Sequence, residues 1–193
     1  CYMALLIFFS SNIVLSQDNI EKIQIDFTMP NGFVRHLLMG FTPDNQASDG
    51  YDYGYDARNI DTFPDDLNWI IDNNRYVIQG VGAFDAEKRY SLGMFLANPG
   101  DIQIELKATY QFGASRKIYV YDSLLETYTD LNEDVYSNTM LSGNYLNRFY
   151  IAFKDDSDKI AEAKNSLSVP EEFLEKTSIQ FLSRTNEVLV KTN

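Results

Sequence analysis

Along most of this chain, short segments with apolar residues at every second position recur, with turn-forming residues between them. In residues 21–29 (EKIQIDFTM), Ile23, Ile25 and Phe27 fall on one side and Lys22, Gln24 and Asp26 on the other. Successive side chains of a strand point to opposite faces, so this is the pattern of a half-buried strand. Pro30-Asn31-Gly32 then supplies a turn. Residues 34–41 (VRHLLMGF) are the second strand of an expected hairpin. Further strands are expected at 75–83, 90–97, 102–110, 117–121, 135–140 and 145–153, with a short polar one inside 122–130. Residues 67–71 fit a strand or a helical turn. In 102–110, Ile102, Ile104, Leu106 and Ala108 form the inward face. Gly80 and Gly82 mark a bulge or the close approach of another backbone. Tyrosine and phenylalanine, 13 of each, suit a pleated and half-buried surface. Helical patterns long enough to carry parallel crossovers are lacking. The expected fold is all-β: an antiparallel β-sandwich, jelly-roll-like, of about nine or ten short strands.

Residues 1–17 (CYMALLIFFSSNIVLSQ) carry no charge and have the apolar and small-residue regions of a secretory signal peptide. The apolar run is too short and interrupted for a spanning helix, which needs about 20 apolar residues. A basic leading region is missing, so 1–17 is expected to be a signal-peptide remnant, with cleavage near Ser16-Gln17. Residues 18–153 form the β-module. Residues 154–176 are charged, poor in apolar residues and contain Pro170, so they are expected to be a linker with at most a helical turn near Ala161 to Lys164. Two short strands are expected in 177–193, too few to bury a core of their own.

The formal net charge is −12. A surface this acidic repels phosphates, so nucleic acid is not an expected partner. The one cysteine, Cys1, permits no intrachain disulfide and no multi-cysteine zinc site. The one histidine, His36, sits in a strand pattern and is expected to face solvent rather than serve a catalytic triad.

Residues 41–57 (FTPDNQASDGYDYGYDA) hold the candidate chemistry. Asp49, Asp52 and Asp56, assisted by Asp44 or Asn45, are candidate oxygen ligands for calcium, although the spacing is not that of an EF-hand. The bland alternative is a structured loop whose aspartates cap turn amides. Tyr51, Tyr53 and Tyr55, with Trp69, are a candidate aromatic platform for carbohydrate; the bland alternative is half-buried packing. Asp65-Asp66 and Asp155-Asp156 are expected to be solvated. Arg148 is expected to pair structurally with Asp122 or Asp130, because a guanidinium matches a carboxylate in a bidentate fork.

Several segments in order resemble the β-rich module that precedes the C-terminal sorting domain in type IX secretion cargo of Bacteroidetes. They are SDGYDYGYDA (48–57), YVIQGVGAF (76–84), YSLGMFLANPGDIQIEL (90–106), KIYVYDSLLETYTDLNEDVYSN (117–138) and SGNYLNRFYIAF (142–153). The acidic-aromatic segment corresponds to Asp49 through Asp56. Leu92-Gly93, then Asp122 with Thr129-Asp130-Leu131, then Arg148-Phe149 follow in the family's order. Residues 177–190 resemble the opening strands of the sorting domain, so 177–193 is expected to be the start of a truncated one.

The resemblance implies a secreted or outer-membrane surface protein, acidic and non-enzymatic. The module would act as an interaction or spacer domain, with the type IX secretion machinery and a surface glycan or protein as partners, and no cofactor apart from calcium. The alternatives are a calcium- or carbohydrate-binding module, or the accessory domain of a secreted hydrolase.

Overall fold

A computed structural model describes residues 20–167, 177–182 and 187–192. The signal-peptide expectation for 1–17 therefore lies outside the described residues. The chain forms β1 (Glu21–Thr28), β2 (Val34–Phe41), β3 (Ala57–Arg58), β4 (Asp65–Ile71), β5 (Asn74–Val81), β6 (Arg89–Leu96) and β7 (Gly100–Tyr110). These are followed by β8 (Tyr119–Asp122), β9 (Thr127–Asp130), β10 (Tyr136–Met140) and β11 (Gly143–Ala152). A helix, α1 (Ser157–Leu167), and a separate antiparallel pair, β12 (Thr177–Leu182) with β13 (Glu187–Thr192), complete the described elements.

The first eleven strands make one continuous sheet in the order β10-β7-β1-β2-β5-β4-β6-β11-β8-β9, with β3 added against β5. The all-β expectation holds. The sheet is mixed rather than antiparallel throughout, because β2 and β5 run parallel, with Leu38 opposite Ile78 and Phe41 opposite Val81. Parallel neighbours need a crossover of a dozen or more residues, usually helical. Here residues 42–73 provide it as a loop, β3 and β4, with no helix. A search for crossover helices overlooks a crossover of this kind.

The β1–β2 hairpin turns at Asn31 and Gly32, where Gly32 has φ +84° and donates to the Met29 carbonyl at 2.9 Å. The β4–β5 hairpin turns through Asp72 and Asn73, both left-handed at φ 49° and 62°. Two consecutive left-handed residues match the right-handed twist of the flanking strands. Within the residues expected to be a linker, the helical turn expected near Ala161 to Lys164 is part of a longer helix, α1, with Asp158 in its first turn and Lys164 in its last. That charge order suits the helix dipole, a signal that a count of apolar residues misses. No helix among the described residues is long and apolar enough to cross a membrane.

The sheet curls around one core into a nearly closed barrel. Ile23, Ile25 and Phe27 of β1 are fully buried with Leu37 and Met39 of β2 and Leu67 and Trp69 of β4. Leu92 and Met94 of β6, Ile102 and Ile104 of β7, and Phe149 and Ile151 of β11 join them. Leu106 and Ala108 are only half-buried, because the β1–β7 register slips between Gln24 and Ile25. Phe41 anchors an aromatic group at one end of the core. Its ring lies 5.5 Å from those of Phe84 and Phe153, 5.6 Å from Phe112 and 6.4 Å from Tyr90. Edge-on pairs of this kind add to the energy of burial itself. Phe41→Ala should therefore destabilise the fold by about 3–5 kcal/mol, read from the urea midpoint, with the transition still cooperative.

Candidate functional site

Residues 42–56 leave β2 and fold back over β5. Asp56 holds them there: its Oδ2 accepts the Asp52 amide at 2.6 Å and its Oδ1 accepts the Gly80 amide at 2.7 Å. Burial pushes the Asp56 carboxyl above the usual carboxylate range, against the pull of those two amides. Asp52 in turn accepts the Ser48 amide and hydroxyl at 2.6 and 2.7 Å. Gly80 has no Cβ because one would stand 2.6 Å from the Tyr55 Cβ. At Gly82 a Cβ would meet the Asn45 side chain, whose Oδ1 accepts the Ala83 amide at 2.7 Å. The close approach expected at these two glycines is thus made by the loop.

The four candidate calcium ligands do not converge. Asp44 accepts a bond from Gln46, Asp52 and Asp56 cap backbone amides, and Asp49 pairs with Lys88 at 2.7 Å. Among the described residues, no three His, Cys, Asp or Glu side chains gather as a metal site. The candidate carbohydrate platform is dispersed as well. Tyr53 is 92% exposed, Tyr51 packs at 5.8 Å on buried Tyr76, and the Tyr55 hydroxyl donates to Gln46. Trp69 is fully buried and its Nε1 donates to the Leu38 carbonyl at 3.0 Å, so it cannot present a face to a sugar. The alternation Leu67, Trp69, Ile71 was the available signal.

Asp65 and Asp66, expected to be solvated, are fully buried. Asp65 accepts the Asn98 amide and side chain, both at 3.0 Å. Asp66 accepts Arg35 Nε at 2.7 Å, Arg75 Nη2 at 2.8 Å and Asn59 Nδ2 at 2.6 Å. Phe63 lies 4.8 Å beneath the Arg35 guanidinium and Phe95 3.9 Å beneath that of Arg75. A buried carboxylate is tolerable only with partners like these, of which Arg35 and Asn98 lie more than thirty positions away in the chain. Asp155 is exposed, and Asp156 pairs with Arg89 and Lys159. His36 faces solvent, with its Nδ1 2.6 Å from buried Asp26.

Arg148 meets Asp122 in a fork, Nε to Oδ1 at 2.8 Å and Nη2 to Oδ2 at 2.7 Å. The Tyr136 hydroxyl donates to the same Oδ2 at 2.8 Å. Asp130 belongs to a different group: it accepts Lys117 Nζ at 2.8 Å. Burial pushes the Asp122 carboxyl up, but the bonds from Arg148 and Tyr136 and the Arg148 charge outweigh it and hold the carboxyl below its usual range. Burial pushes the Tyr136 phenol up to about 12, so it remains a donor at neutral pH.

One polar cavity remains beside the loop. It has a volume of about 260 Å³, and Asp49, Ile70, Gln79, Lys88, Tyr90 and Ser91 contribute to its wall. Gln79 is 3% exposed and its Oε1 has no hydrogen-bond partner. A nearby apolar cavity of about 230 Å³ is walled by Ile70, Phe95 and Leu146 among others.

The depressed Asp122 pKa sets a pH window. An unfolded aspartate titrates near ~3.9, so the stabilisation from this brace is complete above about pH 4 and is lost as pH falls through the lower folded value. Asp122→Asn should cost about 3–5 kcal/mol at pH 7, where a buried partner is removed, and about 1 kcal/mol less at pH 3, below the unfolded pKa. Urea titrations of both proteins at the two pH values check this; an equal cost at both would contradict the assignment.

No curated protein and no solved structure matches the chain. One sequence family does match it across residues 7–153, from ahead of β1 to just past the end of β11. Most of the chain is covered, and the chain therefore belongs to the family described as a Domain of unknown function (DUF8693).

Proposed function

We propose that this chain carries a non-catalytic β-module of an exported or cell-surface bacterial protein. The module serves as a spacer or interaction domain beside a type IX sorting segment. One observation carries the reading. Several charged residues in the segments that resemble the cargo module are spent on the fold. Asp52 and Asp56 tie down the loop, Asp122 and Arg148 join β8 to β11, and Asp130 pairs with Lys117. Motif residues used in this way are determinants of a scaffold rather than of a reaction. The charge-free residues 1–17 and the strand pair β12–β13 support export and a sorting segment respectively. The curled sheet is read here as a flattened sandwich of jelly-roll type, with the inner faces of its two halves meeting across one core.

Tagging the protein at its own chromosomal locus, in hosts with an intact and a disrupted type IX system, tests this reading. Surface-accessible protein is expected in the first host and periplasmic retention in the second. Cytoplasmic protein in both would refute the export reading. Turnover of any member of a broad glycan and peptide panel by the purified chain would refute the non-catalytic one.

A further inference from the structure

We infer that the cavity beside the acidic-aromatic loop is a binding site for a neutral polyhydroxylated ligand about the size of one monosaccharide. It is distinct from the tyrosines of the loop. Its wall combines three features. The first is the amide of Gln79, which is almost fully buried while its Oε1 lacks a partner. An unpaired buried acceptor costs about 1–3 kcal/mol, a cost that is removed when the amide turns its oxygen toward a ligand hydroxyl. The second is the Lys88–Asp49 pair at 2.7 Å, with side chains 39% and 51% exposed. It sets an ammonium donor beside a carboxylate acceptor, so that adjacent hydroxyls can each accept and donate across it. The third is the apolar side chain of Ile70, against which the C–H face of a sugar packs.

Charge selects the ligand class. Lys88 and Asp49 cancel each other. Arg89, at the edge of the cavity, is already engaged by Asp156 at 3.3 Å and by the ring of Tyr121 at 4.5 Å. A wall with paired charges offers no net attraction to an anion or a cation, and its mixture of donors and acceptors fits hydroxyl groups. The Tyr90 phenol, whose pKa is raised by burial and then by Asp49, donates to Asp49 at 3.5 Å and so holds that carboxylate at the rim. The volume lies at or below the lower limit of ordinary ligand pockets, which restricts the site to one small ring.

The test is a titration of the isotopically labelled full chain with neutral hexoses and pentoses, using a glucuronate and a glucosamine as charged comparators, followed by NMR. At least one neutral sugar should bind with a millimolar dissociation constant and shift the Gln79 side-chain amide and the Lys88 and Ser91 backbone amides. Gln79→Leu should weaken that binding by roughly tenfold or more while leaving the melting temperature unchanged or higher, because a buried orphan acceptor is removed. Lys88→Met should also weaken binding without unfolding the exposed rim. Three results would overturn the inference: no neutral sugar binds, a charged comparator binds best, or shifts map to Tyr51 and Tyr53. A loss of several degrees of melting temperature in Gln79→Leu with unchanged binding would show the amide to be structural and overturn it too. None of these outcomes depends on how the protein is exported.

Discussion

The Asp122 carboxylate ties together parts of the sheet that backbone hydrogen bonds leave separate. Asp122 ends β8, Arg148 lies on β11 and Tyr136 lies on β10, at the opposite end of the strand order. Strands β9 and β10 are the two free ends of the sheet and do not pair with each other. Side chains instead join β10 to β8 and β11, with Tyr136 donating to the carboxylate and its ring 5.7 Å from that of Phe149. The same carboxylate caps the following turn by accepting the Leu124 amide at 3.1 Å. One buried anion thus satisfies a cation, a phenol and a turn at once. A buried charge is stable only when it is satisfied in this way.

At the other side of the barrel, the parallel β2–β5 pair shapes what lies around it. Because these strands run the same way, the chain between them has to travel back along the sheet, and the 42–56 loop begins that return. Asp56, Gly80 of β5 and Gly82 just beyond its end let the loop lie directly on the strand. The loop brings Asp49 to Lys88 and Tyr90, and so the cavity owes its polar rim to an exception in strand direction.

The strands themselves were legible in the sequence. Period-two alternation located β1, β2, β6 and β7 to within a residue or two, because side-chain parity is a local property. Pairing was not legible in the same way. Arg35 lies thirty-one positions before Asp66, and Arg75, nine positions after it, reaches it only across the β4–β5 hairpin, so the sequence around Asp66 does not show that its charge is matched indoors. Two adjacent aspartates then look like a solvated surface. The parallel pair was missed because the expected mark of a crossover is a helix, and this one is made of loop and strand. Trp69 was misplaced for a different reason: its composition suggested a platform, while the parity of its own strand placed it in the core. The cavity left no sequence signal at all, because Asp49, Gln79 and Lys88 come from a loop, a strand and a turn that only the curl of the sheet brings together.

The register between β1 and β7 has a consequence for how the chain folds. Strand β1 lies between β2, its neighbour in sequence, and β7, whose residues run to Tyr110. The first hairpin can therefore form early, yet one edge of it stays open until more than half of these 193 residues have been made. Pairings this distant close large loops before any contact rewards them, which slows folding. During that interval the inner face of β1, with Ile23, Ile25 and Phe27, is uncovered beside an unpaired strand edge. Nascent chains in such a state are prone to wrong edge pairing, so the period before β7 is complete is the stage at which this protein most needs a holding partner.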